Sequence, residues 1–237
     1  MDKTVTIDSA GAEMGLYDAA PDRSPRGAVI VIQEAFGITE HIEDVCRRFA
    51  AAGYRAVAPH LFHRSGDPVI SYDDMAAVMP HLGGLSGEGL EADLAATVGY
   101  LEAEGFAPNR IGVVGFCMGG SVVVLAAARH ALGGAVTFYG GGLAAGRFGL
   151  PPLLELAPGL QTPWLGLFGD EDQSIPTEQV EAMRDAAKQA KVATDVVRYP
   201  EAGHGFHCDA RDSYHESSAK DGWERTLDWF DTNLAKA

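Results

Sequence analysis

The sequence predicts an α/β fold with a mostly parallel sheet, on three observations: short β-rich apolar runs, helix-length segments between them, and alternation of the two along the chain. Runs such as Ala28–Ile32 (AVIVI) and Ala135–Phe138 (AVTF) are short, apolar and β-rich, the pattern of strands covered on both faces.

Taken in order, Val5–Tyr17 reads as two short strands around Ser9–Gly11, an antiparallel hairpin at the edge of the sheet. Ala28–Ile32 is the first long buried strand, and His41–Ala52 follows with apolar residues at helical spacing. Phe62–Gly87 is richer in Pro, Gly, Asp and Ser, with a short helical piece near Asp73–Met79, and reads as an excursion over the C-terminal edge of the sheet, a lid or substrate loop. Glu88–Ala103 is helical, Arg110–Val114 a strand, Met118–Arg129 a helix and Ala135–Phe138 a strand. Trp164–Phe168, Thr177–Gln189, Thr194–Tyr199 and Ser218–Leu234 continue as strand, helix, strand and helix. No repeat, low-complexity tract or linker separates two cores, so 1–237 is expected to form a single domain.

Composition narrows the function classes. The chain has 237 residues, 46% of them hydrophobic and 22% charged, and a formal net charge of −15. At that length a chain buries about 70–75% of its unfolded surface and needs no disulfide framework. A pI of about 4.8 leaves no electrostatic footprint for nucleic acid and no basic stretch for an anionic membrane. Cys46, Cys117 and Cys208 are odd in number and widely spaced, which fits reduced thiols. The N-terminus has no apolar h-region and no aliphatic run approaches a spanning length, so a cytoplasmic protein is expected, a monomer or a weak homodimer.

The strongest local signal is Gly115-Phe116-Cys117-Met118-Gly119-Gly120, between a buried strand and a helix. A nucleophile on a strand-to-helix turn needs small residues two before and two after it, and Gly115 and Gly119 supply them. The helix N-terminus favours a thiolate. The competing reading of Cys117 is a small buried hydrophobe with glycines that only allow close packing. The stretch also imitates a phosphate loop, but the Lys before Ser121 is absent.

A nucleophile elbow is followed by an acid after a later strand and a His after the next. Trp164–Phe168 runs into an acidic loop holding Asp170, Glu171 and Asp172, and Thr194–Tyr199 runs into His204 between two glycines. A Cys117–His204–Asp172 triad follows, with Asp170 or Glu171 as the alternative acid. His204, His207 and Cys208, and the pair His60 and His63, match no zinc spacing, so no metal is expected and no cofactor is needed.

These residues resemble the dienelactone hydrolase family, the Cys-nucleophile branch of the α/β-hydrolase fold. The likeness rests on Gln33-Glu34-Ala35-Phe36-Gly37, the elbow, Asp172 ahead of Pro176, Glu201-Ala202-Gly203-His204 and Glu224-Arg225-Thr226-Leu227, and spans nearly the whole chain. The resemblance implies hydrolysis of a small ester or lactone through a thioester acyl-enzyme. It also implies that Glu34 holds the resting thiol and helps form the thiolate when substrate arrives, with the amides of Ala35 and Met118 as oxyanion donors. Phe36, Tyr139, Phe206, His63 and Arg64 are expected to line the pocket. Family members grip the substrate carboxylate with arginines, one of them four residues beyond the catalytic His, where this chain has Cys208. Residues 71–100 contain no Lys or Arg, while Arg64 and Arg211 lie nearby in sequence. Two competing expectations therefore stand beside the lactonase: a hydrolase of neutral esters or thioesters, and a non-catalytic thiol sensor or ligand-binding protein.

Overall fold

A computed structural model describes residues 2–236. The N-terminal hairpin forms as expected: β1 (Lys3–Ser9) pairs antiparallel with β2 (Ala12–Ala19), and Asp8 Oδ1 accepts from the Gly11 N–H at 3.2 Å to close the turn. After it come β3 (Ala28–Ile32), α1 (Glu40–Ala51), β4 (Arg55–Pro59), α2 (Met75–Gly83), α3 (Gly87–Ala103) and β5 (Ile111–Phe116). The C-terminal half holds α4 (Met118–Arg129), β6 (Gly134–Phe138), α5 (Leu153–Leu156), β7 (Trp164–Gly169), α6 (Thr177–Ala187), β8 (Thr194–Tyr199) and α7 (Glu216–Asn233).

The strands form one eight-stranded sheet in the order β1-β2-β4-β3-β5-β6-β7-β8, antiparallel only where β2 meets β1 and β4. β3, β5, β6 and β7 are buried throughout, which is why each reads as an unbroken apolar run. Helices α3, α4, α5 and α6 pack in sequence along one face. On the other, Phe49 of α1 meets Trp223 and Phe230 of α7 at ring-centroid distances of 4.6 and 6.0 Å. This is the α/β-hydrolase architecture.

Two elements escape the sequence reading. β4 (RAVAP) carries two alanines and a proline, residues with little strand preference, and becomes a strand because β2 and β3 flank it. The single turn of α5 is too short to show a helical period.

The strand order also places the site. The chain crosses from β3 to β4 on one side and then to β5 on the other, so the loops after β3 and β5 leave adjacent strands at the point where the winding reverses. A crevice opens between such loops in an open α/β sheet. Here they carry Glu34 and Cys117.

Candidate active site

Cys117 sits between β5 and α4 with φ 55° and ψ −117°, a backbone conformation that L-residues rarely adopt. Its N–H donates to the Phe138 carbonyl at 3.1 Å. The glycines beside it answer a steric demand: a Cβ on Gly115 would lie 2.3 Å from the Gly119 carbonyl oxygen, and one on Gly119 would lie 2.4 Å from that of Ile32. The turn is thus pressed between the following helix and the neighbouring strand, and the Cys117 side chain is left half-buried.

His204 follows β8, and its Nδ1 lies 2.6 Å from Asp172 Oδ2. Asp172 is buried, and its other oxygen accepts from the Ser174 N–H at 2.8 Å and the Ser174 hydroxyl at 2.7 Å. Burial alone would raise the Asp172 carboxyl, but the bonds from His204 and Ser174 outweigh it and hold the pKa below the ordinary value. For His204, burial opposes the charged form and is overcome by the Cys117 sulfur and the Asp172 carboxylate, which push the imidazole up to about 10. The alternative acid Asp170 is engaged elsewhere, by Arg198 through two bonds of 2.6 and 2.8 Å.

Glu34, in the β3–α1 loop, is buried, and its Oε1 accepts from Arg211 Nη1 at 3.1 Å. Among the described residues its Oε2 has no hydrogen-bond partner. The hydrogen bond that Glu34 makes is therefore to Arg211; none to the Cys117 thiol is present. Next to Glu34, Ala35 and, at the start of α4, Met118 each carry an amide that, among the described residues, donates to no other backbone group. Phe36 packs edge-on to Tyr72 with centroids 4.7 Å apart, and the Arg211 guanidinium lies 5.6 Å from the Phe36 ring and 5.8 Å from that of Tyr72. Arg211, half-buried, lines an open cavity of about 610 Å³ together with Ser71, Tyr72, Asp73, Ala210, Asp212 and Ser213, and it links that cavity to Glu34, which like Cys117 and His204 is not in its lining.

Tyr139 follows β6 with its ring 5.2 Å from that of His204, and its buried hydroxyl has no hydrogen-bond partner among the described residues. Phe206 is fully buried and packs against Phe138, Tyr139 and Tyr199. His63 and Arg64 require a correction. His63 Nε2 lies 3.1 Å from Asp93 and its Nδ1 2.9 Å from the Glu13 carbonyl oxygen, while Arg64 donates to Asp93 at 2.9 Å and to the Ser9 hydroxyl at 3.2 Å. Both are bound beside β2, three strand spacings or roughly 14 Å from β5. Buried Asp93 draws them there, since an unpaired carboxylate in that position would be costly.

His204, His207 and Cys208 diverge. His204 faces Asp172, the His207 ring packs on Phe116 and Phe138 at 5.0 and 4.9 Å, and the Cys208 thiol donates to the Tyr72 hydroxyl at 3.4 Å. Among the described residues no group of three or more His, Cys, Asp or Glu is arranged to hold a metal ion, and no helix is long and apolar enough to cross a membrane. The sequence reading missed Tyr72 and Ser174. Tyr72 left no signal beyond its place in the excursion, whereas Asp172-x-Ser174 ahead of a proline is a recognisable side-chain-capped turn.

The profile of the dienelactone hydrolase family matches residues 14–234. A Salmonella typhimurium protein named "Putative carboxymethylenebutenolidase" is 42% identical over 233 residues, covering 95% of this chain and 85% of its own. An Escherichia coli K12 protein of the same name is 41% identical over 233 residues, covering 95% and 84%. A crystal structure described as a "Putative Dienelactone Hydrolase" from Klebsiella pneumoniae superposes with a TM-score of 0.89 at 40% identity and covers 98% of both chains. The chain belongs to the dienelactone hydrolase family and is an ester hydrolase with the α/β-hydrolase fold.

Proposed function

We propose that this protein hydrolyses small esters or lactones that carry a carboxylate, with Cys117 as nucleophile, His204 as acid and base, and Asp172 holding the imidazole. The observation that carries the reading is the 2.6 Å pairing of His204 with buried Asp172 at the same edge of the sheet as Cys117, which sits on a strained strand-to-helix turn. The thiolate attacks the carbonyl carbon, a C–S bond forms, and the oxyanion is met by the amides of Ala35 and Met118, an arrangement that typically supplies several kcal/mol. Collapse breaks the bond to the leaving oxygen, which takes a proton from the His204 imidazolium. Neutral His204 then removes a proton from water, whose oxygen attacks the thioester carbon, and release of the acid restores the thiolate.

Arg211 supports the carboxylate-bearing class. It stands open to the cavity while bound to Glu34, so an incoming carboxylate can take its free N–H donors. Glu34, released in part, then meets the Cys117 thiol and promotes the thiolate. Three further parts of the reading are a single domain over 1–237, a reducing cytoplasmic setting, and function as a monomer or weak homodimer.

The test is kcat/KM for dienelactone beside a neutral short-chain aryl ester, with Cys117→Ala in parallel. Turnover of dienelactone that is lost in Cys117→Ala and falls at least about tenfold in Arg211→Met supports the proposal. Turnover of the neutral ester alone removes the carboxylate class and leaves the nucleophile. Turnover of neither, with affinity for ligands kept in Cys117→Ser, makes the protein a thiol sensor or binder.

A further inference from the structure

Two buried polar atoms near Cys117 have no hydrogen-bond partner: the Tyr139 hydroxyl and Glu34 Oε2. One can donate and the other only accept. The Tyr139 ring meets that of His204 at 5.2 Å, and the next residue, Gly205, lies against the Arg211 guanidinium that binds Glu34, so both orphans border one pocket. Tyr139 also holds φ at 39°, in the left-handed region that a tyrosine seldom enters. Its N–H donates to the Leu167 carbonyl at 2.8 Å, and its ring is fixed edge-on between His204 and Phe206 at 5.2 Å from each. Strain and an unpaired hydroxyl are both costs, and a fold retains such costs where a second arrangement uses them.

Among the described residues, Arg211 alone donates to the Glu34 carboxylate. A substrate carboxylate that claims Arg211 leaves Glu34 as a buried anion short of a partner, a state that demands another donor. The Cys117 thiol gives up its proton as the thiolate forms and can no longer donate, and the Cys208 thiol is given to Tyr72. The Tyr139 hydroxyl is uncommitted. Burial and the charge of Glu34 keep that phenol protonated, and so a donor, far above neutral pH.

We propose that Tyr139 is a positioning residue whose hydroxyl takes over the Glu34 carboxylate when an anionic substrate draws Arg211 away. The hydrogen bond holds Glu34 beside Cys117 during acylation instead of letting it follow the guanidinium. Tyr139 acts through Glu34 and need not touch the substrate. The inference rests on the reading of Arg211 as the carboxylate site.

The experiment measures kcat and KM for mono-4-nitrophenyl glutarate and 4-nitrophenyl valerate with the wild type, Tyr139→Phe, Glu34→Gln, the double variant, Arg211→Met and Cys117→Ala, together with each protein's Tm. Tyr139→Phe is expected to lower kcat on the glutarate ester about tenfold, as loss of one hydrogen bond to a charged group does, with KM changed by less than about threefold. In the Glu34→Gln background the same substitution is expected to change kcat by less than about twofold, because the two residues act as one unit. Multiplying effects in the double variant, a loss confined to KM, or equal losses on both esters with a lowered Tm overturns the role of Tyr139 while the triad stands. Wild-type turnover in Cys117→Ala would instead remove the nucleophile reading. A wild type without preference for the glutarate ester, or a preference that survives Arg211→Met, removes the carboxylate site and this inference with it.

Discussion

Arg211→Met isolates the ion pair at the heart of the pocket. Glu34 is buried, one of its oxygens has no partner and the other depends on Arg211 at 3.1 Å. Methionine keeps much of the apolar stem that lies near Phe36 and Tyr72 but removes every donor. Breaking a buried pair by removing one partner typically costs 3–5 kcal/mol, and because Arg211 is 22% exposed water softens the loss. We take about 3 kcal/mol, which in a chain of this length corresponds to a fall in Tm of roughly 6–12 °C. The assay is thermal unfolding at pH 8 of Arg211→Met, Glu34→Gln and the double variant. Because the penalty is that of an uncompensated charge, the double variant is expected to recover most of the loss. An Arg211→Met protein that melts within about 2 °C of the wild type, or a double variant as unstable as the single one, refutes the argument that Arg211 neutralises a buried Glu34.

The charge on His204 gives a prediction with a definite sign. Its pKa stands at about 10, against an ordinary 6.5, after the Cys117 sulfur and Asp172 have overcome burial. A raised group stabilises the fold fully below its unfolded value and loses that contribution as pH climbs through its folded one. Wild-type stability is therefore expected to fall between pH 7 and pH 10 more steeply than that of Cys117→Ala, and the His204 resonance in an NMR titration of that variant moves to lower pH; an unmoved titration contradicts the pairing. At the elbow, Gly119→Ala would place a methyl group 2.4 Å from the Ile32 carbonyl oxygen, backbone against backbone. Overpacking of that kind costs typically 1–3 kcal/mol, so urea unfolding should show a midpoint lowered accordingly, and an unchanged midpoint would mean that the elbow is looser than drawn.

Legibility of the fold and of the candidate site followed the physics of each element. β3, β5, β6 and β7 were readable because both faces are covered and, apart from Thr137, no position carries a polar side chain. β4 was not, since its identity as a strand comes from neighbours far along the chain rather than from its own residues. Cys117, His204 and Asp172 could be picked out because chain order and turn chemistry constrain an elbow and its partners locally. His63 and Arg64 misled for the opposite reason: nearness in sequence to an excursion says nothing about which buried acid claims a side chain, and Asp93 lies some thirty residues further on.

The position of the cation shows how a pocket can keep its electrostatics while its sequence pattern changes. Four residues beyond His204, where the family resemblance implies an arginine, stands Cys208, whose thiol is turned to the Tyr72 hydroxyl. The positive charge arrives instead from Arg211, three residues further along the same loop, and to reach Glu34 its guanidinium must pass over Gly205. A Cβ at Gly205 would lie 2.5 Å from Arg211 Nη1, and Gly205 itself has φ +83°, so glycine is required there twice, once for the turn and once for the passage. The segment from His204 to Ser213 thereby supplies the imidazole, the gap and the cation as one piece. The absence of an arginine at the family position therefore does not leave the pocket without positive charge, because a guanidinium side chain is long enough to be rooted elsewhere and still bring its charge beside Glu34.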